Sequence, residues 1–282
     1  MFLAQAPDAE FEKYDTTAQH YSSTRVPVGT LFILKTLAKD EKTLAEKTIL
    51  DAGCGTGNYI GVLHQKVGQI IGVDRNGGML TEARRRFADM SNVKIVEGNV
   101  CVLPVEDSSI DAVLSNQVLH HLDQPKGGEK GFAFPNAKTF ISEAHRVLRP
   151  DGTLIINISS HQQVTESFWY MSLIPGALAE LISRLPPVLL LIAMCQEAGF
   201  VDVMSQTETE ILQGEAYLDP AGPLREKWRA GDSTWALAIK EELASALELA
   251  KNQEDMKLRI IAAEEWRKEI GQSTFIVARK PR

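Results

Sequence analysis

Cysteine is scarce: Cys54, Cys101 and Cys195 are the three in 282 residues. They show no CxxC spacing, so neither a disulfide framework nor a thiolate zinc site organises the chain, and no metal site is expected. A reducing, cytoplasmic setting fits that usage. The start, Met1-Phe2-Leu3-Ala4-Gln5-Ala6-Pro7-Asp8, lacks the positive charge and apolar core of a signal peptide. Long apolar runs are missing as well. The longest, Val188–Cys195, is too short to cross a bilayer, so no membrane span is expected. Positive charge is in deficit, with a formal net charge of -7. The short basic runs, Arg84-Arg85-Arg86 and Arg279-Lys280-Pro281-Arg282, read as solvated surface, and no nucleic-acid partner is expected. No internal repeat or low-complexity tract is evident.

What remains is an ordinary globular composition, 44% hydrophobic and 24% charged, at a length that buries a full core. The chain is organised around Thr48–Tyr59. Thr48-Ile49-Leu50 is a β-branched and aliphatic run that ends in Asp51, and Gly53, Gly55 and Gly57 follow at alternate positions. A strand that breaks into a glycine turn and then enters a helix is a nucleotide-binding layout. Glycines there free the backbone and let a ligand approach it.

Strand and helix patterns alternate from that point. Strands are expected over Thr48–Ala52, Gln69–Val73 (closing on Asp74), Val93–Glu97, Ala112–Ser115 and Thr153–Ile158. Helices are expected from about Tyr59, over Gly78–Asp89 and over Ala137–Val147, with Arg149-Pro150-Asp151-Gly152 as a turn. Such βαβ units imply an α/β fold: a Rossmann-like, doubly wound, seven-stranded, mostly parallel sheet with helices on both faces. Residues 1–47 read as an N-terminal helical lid segment and 48–158 as the binding core. Residues 159–187 read as an aromatic cap, 188–207 as a core helix and strand, 208–272 as a mostly helical insertion, and 273–282 as the last strand and tail. In the first segment Tyr14, Ala18, Tyr21 and Arg25 share a helical face, Pro27 interrupts, and Leu31–Leu37 resumes.

Two ligand classes compete for the glycine turn. A dinucleotide site wants G-x-G-x-x-G, and Asn58 stands where a third glycine belongs. Both classes want an acid at the end of strand two, and Asp74 supplies it. The downstream motifs decide. Leu50-Asp51-Ala52-Gly53-Cys54-Gly55-Thr56-Gly57, Gly72-Val73-Asp74 with Met79-Leu80, Glu97-Gly98-Asn99-Val100, Asp111-Ala112-Val113 with Leu119-His120-His121-Leu122, and Glu143–Gly152 stand in order. On these the chain resembles the class I S-adenosylmethionine-dependent methyltransferases, specifically the small-molecule enzymes similar to the ubiquinone/menaquinone methyltransferase group. The resemblance covers about Tyr14–Ile158 and the last strand. Tyr21–Pro27 and Arg229-Ala230-Gly231-Asp232-Ser233 more weakly resemble segments of methyltransferases of secondary metabolism.

The resemblance implies S-adenosylmethionine as cofactor, with S-adenosylhomocysteine as product, and assigns roles by residue. Gly53, Cys54, Gly55 and Gly57 would pack on the methionine part, with Asp51 near its ammonium. Asp74 would take the ribose hydroxyls, with Arg75 beside it. Met79, Asn99 and Val100 would meet adenine. The family usually has a carboxylate where Asn99 stands, and an amide oxygen accepts that bond without charge assistance. Asn116 and Val118 would border the transferable methyl. Tyr21 or Arg25 would reach the cofactor carboxylate from the lid.

His120 and His121 follow strand four, where an acceptor should sit. Methyl transfer is an in-line displacement whose main demand is alignment. A hydroxyl acceptor also needs its proton removed, which an imidazole suits at neutral pH. One of the pair is therefore a candidate base, the other reading being a helix cap or a buried carbonyl partner. His161 and Glu166 in the cap are weaker candidates. The cysteines do not match an arsenite methyltransferase, and no acid-rich polyamine pocket speaks for an aminopropyl transferase. The expected partner is a small-molecule acceptor, apolar or aromatic, and the chain a monomer or homodimer. A cofactor-binding protein without transfer activity and a nicotinamide-dependent oxidoreductase are the rival readings.

Overall fold

The computed structural model describes residues 26–39, 41–125 and 132–282. Tyr14, Tyr21 and Arg25 lie outside them. Helix α1 (Thr30–Leu37) leads into β1 (Thr48–Ala52), α2 (Asn58–Leu63), β2 (Gln69–Asp74), α3 (Gly77–Arg86), β3 (Val93–Glu97) and β4 (Ile110–Asn116). Then follow α4 (Pro135–Val147), β5 (Leu148–Ile158), α5 (His161–Glu166), α6 (Pro175–Arg184), α7 (Val188–Glu197) and β6 (Val201–Glu208). Helices α8 (Lys240–Leu249) and α9 (Gln253–Ile270) precede β7 (Ser273–Arg279).

The seven strands form one sheet in the order β3-β2-β1-β4-β5-β7-β6. All neighbouring pairs are parallel except those of β7, which is antiparallel to both β5 and β6. This is the doubly wound, mostly parallel sheet expected from the alternation of elements. The chain winds outward from β1 to β3 and then returns to β4 beside β1. Ligands of such sheets bind outside the strand carboxyl ends at that reversal, so the ends of β1 and β4 define where a site belongs.

Period-two alternation splits the strands between two cores. Leu50, Val113, Leu154 and Ile156 face one cluster with Ala137, Phe140, Ile141, Ala144 and Val147 of α4 and with Leu191, Met194 and Cys195 of α7. The α4 residues recur at helical spacing, which gives that helix one apolar face. Ile49, Ala112, Leu114, Ile155 and Phe275 face the other cluster, under Ile33 and Leu37 of α1 and Ile60 and Leu63 of α2.

Two local differences from the sequence-based expectation have physical causes. The Arg149–Gly152 turn is absorbed into β5 as an irregularity: the register jumps from Ile110↔Leu148 to Ala112↔Thr153, with Asp151 left-handed at φ 63°. The first part of the second insertion is built of 3₁₀ turns at Glu215–Leu218, Gly222–Leu224 and Ser233–Leu237, with a single short α-helical turn at Glu226–Arg229, before α8 begins. There Pro220, Gly222, Pro223 and Gly231 interrupt any longer helix.

Those turns pack on the cap. Trp169 Nε1 donates to the Tyr217 carbonyl at 2.7 Å, and the Tyr217 hydroxyl donates to the Trp228 carbonyl at 2.9 Å. Tyr170 sits among Tyr217, Trp228 and Trp235, with ring centroids 5.4–5.9 Å away. Segments far apart in sequence thus form one aromatic layer. The apolar stretch Pro175–Glu197 is long enough by composition to cross a membrane. It folds instead as α6 and α7, broken at Leu185-Pro186-Pro187, with Leu181, Leu191, Met194 and Cys195 buried.

Candidate active site

Beyond β1 the chain turns through Gly53, Gly55 and Gly57 at φ 81°, 52° and 80°, conformations that favour glycine. The amides of Gly53 and Cys54 both donate to the Val73 carbonyl, at 2.7 and 3.0 Å, folding the loop over the end of β2. A Cβ on Gly53 would lie 2.4 Å from Val118 Cγ2, and one on Gly57 2.4 Å from the Phe87 ring. At Gly55 it would meet nothing within 4 Å. The loop is therefore packed from below and open above, a cradle that a side chain would fill.

Asp74 closes β2 and ties this cradle together. Its Oδ2 accepts the Gly55 N–H at 2.8 Å and its Oδ1 the Asn76 N–H at 2.9 Å. Each carboxylate oxygen keeps capacity for a further donor. Asn76 caps α3 through the Met79 N–H, 2.9 Å away. Met79 is buried yet belongs to neither core cluster. Arg75 and Asn99 are exposed, and the Asn99 Oδ1 expected to face adenine already accepts the Cys101 N–H at 2.9 Å. Val100 is buried, and Val118 packs against Gly53.

A polar row crosses the strand ends beside the cradle. Asp51 is the penultimate residue of β1; Asn116 of β4 pairs in register with Asn157 of β5. Asp51 is 2% exposed, and burial followed by the charge of Asp74 pushes its carboxyl up to about 7, opposed by Asn116. Asn116 is near enough to favour the charged carboxylate, but neither of its buried amide atoms closes a well-formed hydrogen bond. Ser115 Oγ and Asn157 Nδ2 are also buried without a partner. Buried polar atoms are nearly always paired, so a group of unpaired ones beside a buried acid marks a place for a polar ligand. An acid with amide donors and acceptors fits the ammonium and carboxylate of an amino-acid group. The residues present therefore fit the methionine end of S-adenosylmethionine.

On the side of the aromatic layer, a pocket begins at Gln117 and at the 3₁₀ turn Leu119–His121. His120 is buried, His121 half-buried, and their rings are in contact, tilted by 45° with centroids 3.9 Å apart. The apolar wall comes from Val164 and Phe168, from Met171, Leu181 and Leu185, and from Leu212; Asp232, Ser233 and Thr234 complete it. His161 is elsewhere: its Nε2 meets the Leu185 carbonyl at 2.8 Å, and it lines an outer groove with Pro125 and Phe132. Glu166 lines neither cavity.

Three residues here escaped the reading of the sequence. Gln117 is left-handed at φ 55°, although it is not a glycine. Asn157 interrupts the apolar run Ile155-Ile156-Asn157-Ile158, a signal that could have been taken. Asp232 stands in a segment singled out only for its resemblance.

Residues 50–156 match the family described as a methyltransferase domain. A protein of Mycolicibacterium smegmatis, provisionally named an S-adenosylmethionine-dependent methyltransferase, is 32% identical over 40% of this chain and 38% of its own. The demethylmenaquinone methyltransferase of Staphylococcus aureus is 29% identical over 51% of this chain and 54% of its own. The chain thus spans about half or less of the length of these relatives. Among solved structures, a protein of an antibiotic biosynthesis pathway of Anabaena variabilis, provisionally described as a methyltransferase, shares the fold. It superposes with a TM-score of 0.68 at 22% identity, over 90% of this chain and 98% of that one.

Proposed function

We propose that this chain moves a methyl group from S-adenosylmethionine to a small, largely apolar acceptor held under the lid. The observation that carries the reading is the adjacency of two half-sites at one strand end. The unpaired amide of Asn116 looks toward the buried acid Asp51, and the next residue, Gln117, already lines the pocket of His120 and His121. Donor and acceptor would meet across β4, and holding reactants in such register is the main catalytic demand here.

When bound, S-adenosylmethionine supplies an electrophilic methyl group and its own leaving group. Asp51 and Asn116 would hold the amino-acid end, the Gly53–Gly57 cradle would receive its backbone, and Asp74 would take the ribose hydroxyls. One imidazole of His120 and His121 would accept the proton of a hydroxyl acceptor. The walls of Val164, Phe168, Met171, Leu181, Leu185 and Leu212 support an apolar or aromatic acceptor body. The relative named for demethylmenaquinone is named for an acceptor of that kind.

A cofactor-binding protein without transfer activity would have no use for a histidine pair in a lidded pocket. A nicotinamide site would want a third glycine where Asn58 stands. Calorimetry with S-adenosylhomocysteine tests binding: no heat at millimolar ligand sinks the proposal. Turnover with a panel of apolar hydroxylated acceptors tests transfer. Replacing the base, His120→Ala or His121→Ala, should cost about 10²–10⁴ in kcat with homocysteine-product affinity unchanged. If neither variant loses rate, the pair is structural.

A further inference from the structure

Asn157 is wholly buried in β5, yet only half of its side-chain amide is bonded. Its Oδ1 accepts the Gln117 Nε2 at 2.8 Å, and its main-chain carbonyl accepts the Gln117 N–H at 2.8 Å. Its Nδ2 is buried with no hydrogen-bond partner. The bond to Oδ1 fixes which way the amide points, so Nδ2 is a donor held in a set position. A buried donor left unmade is costly, and each one calls for an explanation.

A structural role explains the oxygen alone. Holding Gln117 needs an acceptor, which a carboxylate or a hydroxyl would supply as well, and the amide nitrogen adds nothing to that bond. A buried water on Nδ2 is the other structural answer. The place of Asn157 in the sheet supplies a functional one. Asp51, Asn116 and Asn157 stand on three neighbouring strands, β1, β4 and β5. Asp51 pairs with Leu114, two residues before Asn116, and Asn116 pairs with Asn157. Period-two alternation therefore puts all three side chains on one face, that of Ile49, Leu114 and Ile155. The row runs from an acid through one amide to a second, away from Asp74 of β2. Two strand spacings, about 10 Å, separate its ends. A hydrogen bond of about 2.9 Å to an ammonium, roughly 3 Å from that ammonium to the carboxylate of the same α-amino acid, and a second hydrogen bond of about 2.9 Å nearly span that distance. An amino-acid head group laid along the row would meet an acid at one end and amide donors at the other.

We propose that Asn157 is a further cofactor-binding residue, its Nδ2 donating to the carboxylate of the methionine end of S-adenosylmethionine while Asp51 holds the ammonium. This rests on the methyltransferase reading above. Gln117, through its bond to Oδ1, is a positioning residue that acts through Asn157.

The test uses two ligands that differ in one group. Calorimetry measures S-adenosylhomocysteine and its decarboxylated analogue, which keeps the nucleoside, the sulfur and the ammonium. Absence of S-adenosylhomocysteine binding to the wild type removes the methyltransferase reading itself. The wild type should prefer S-adenosylhomocysteine by about tenfold or more, and Asn157→Thr should reduce that preference to about threefold or less. Asn157→Asp sets a carboxylate against the ligand carboxylate and should reverse the preference. Both replacements keep an oxygen for the Gln117 Nε2, so a merely structural role would leave the preference unchanged. A wild type without preference, or a preference undiminished in Asn157→Thr, overturns the proposal. So does an equal loss of affinity for both ligands, which marks a general disturbance of the site. Should neither replacement fold, Gln117→Leu leaves Asn157 in place and frees its amide. The preference should fall there too, and an undiminished one overturns the proposal.

Discussion

Gln117 is clamped to Asn157 twice, by its main-chain N–H to the Asn157 carbonyl and by its Nε2 to Asn157 Oδ1, each at 2.8 Å. The clamp holds Gln117 at φ 55° just where the strand hands over to the pocket of His120 and His121. Left-handed backbone costs a non-glycine residue about 1 kcal/mol or slightly more. Such strain persists where the surroundings over-determine it.

Substituting this position separates strain from bonding. Gln117→Gly loses the side-chain bond, worth about 1 kcal/mol, and regains a similar amount from the backbone. Gln117→Ala loses the bond and keeps the strain. Urea unfolding should therefore place the alanine variant about 1 kcal/mol below the glycine variant. Equal stabilities would mean that the backbone is not strained.

The glycine cradle yields a paired prediction. Gly53→Ala puts a Cβ 2.4 Å from Val118 Cγ2, so it should lower both stability and cofactor affinity. Gly55→Ala meets no neighbour within 4 Å and should cost only the backbone strain, about 1 kcal/mol. Its methyl group occupies the open cradle, so S-adenosylhomocysteine affinity should drop by about tenfold or more. Unchanged affinity in Gly55→Ala would place the cofactor elsewhere.

The glycine turn was legible because it depends on local sequence. A β-branched run closed by an acid and glycines fixes β1, and the observed Thr48–Ala52 and Val93–Glu97 coincide with the expected strands. Gln117, Asn157 and Asp232 were not legible, because their roles arise from tertiary neighbours. The register of β4 on β5 creates the Gln117–Asn157 clamp, and Asp232 reaches the pocket only through the packing of the lid on itself. His161 shows the opposite error. Its place in the cap made it a catalytic candidate, but its ring is committed to the Leu185 carbonyl.

The thiols should be inert. Burial pushes Cys101 up to about 11 and Cys195 up to about 12, and raises Cys54 well above its ordinary value. The thiolate is the nucleophile, and at neutral pH Cys101 would present only about one part in 10⁴ of it. Intact mass after iodoacetamide at neutral pH should show an unmodified native chain and triple alkylation after unfolding. Rapid alkylation of the native chain would contradict the burial of these groups.

Asp51 links the site to pH. Burial and the charge of Asp74 raise its carboxyl from an ordinary 3.8 to about 7 in the folded chain. Between those values the unfolded chain has released the proton and the folded chain still holds it, so stability falls as pH rises. The contribution is complete below the lower value and lost above the upper one, up to about 4 kcal/mol. Asp51→Asn keeps the shape and removes the charge. Its stability should lack this decline and exceed that of the wild type at pH 8, measured by denaturant titration without ligand. The same substitution removes the proposed partner of the cofactor ammonium, so S-adenosylhomocysteine affinity should fall by about tenfold or more. A ligand cation beside Asp51 favours its charged form, and binding by the wild type below pH 7 should release a proton. Calorimetry in buffers of different ionisation enthalpy reads that release directly. A wild-type stability curve flat between pH 4 and 7, with no proton released on binding, would show that Asp51 is ionised throughout and is not set by its burial.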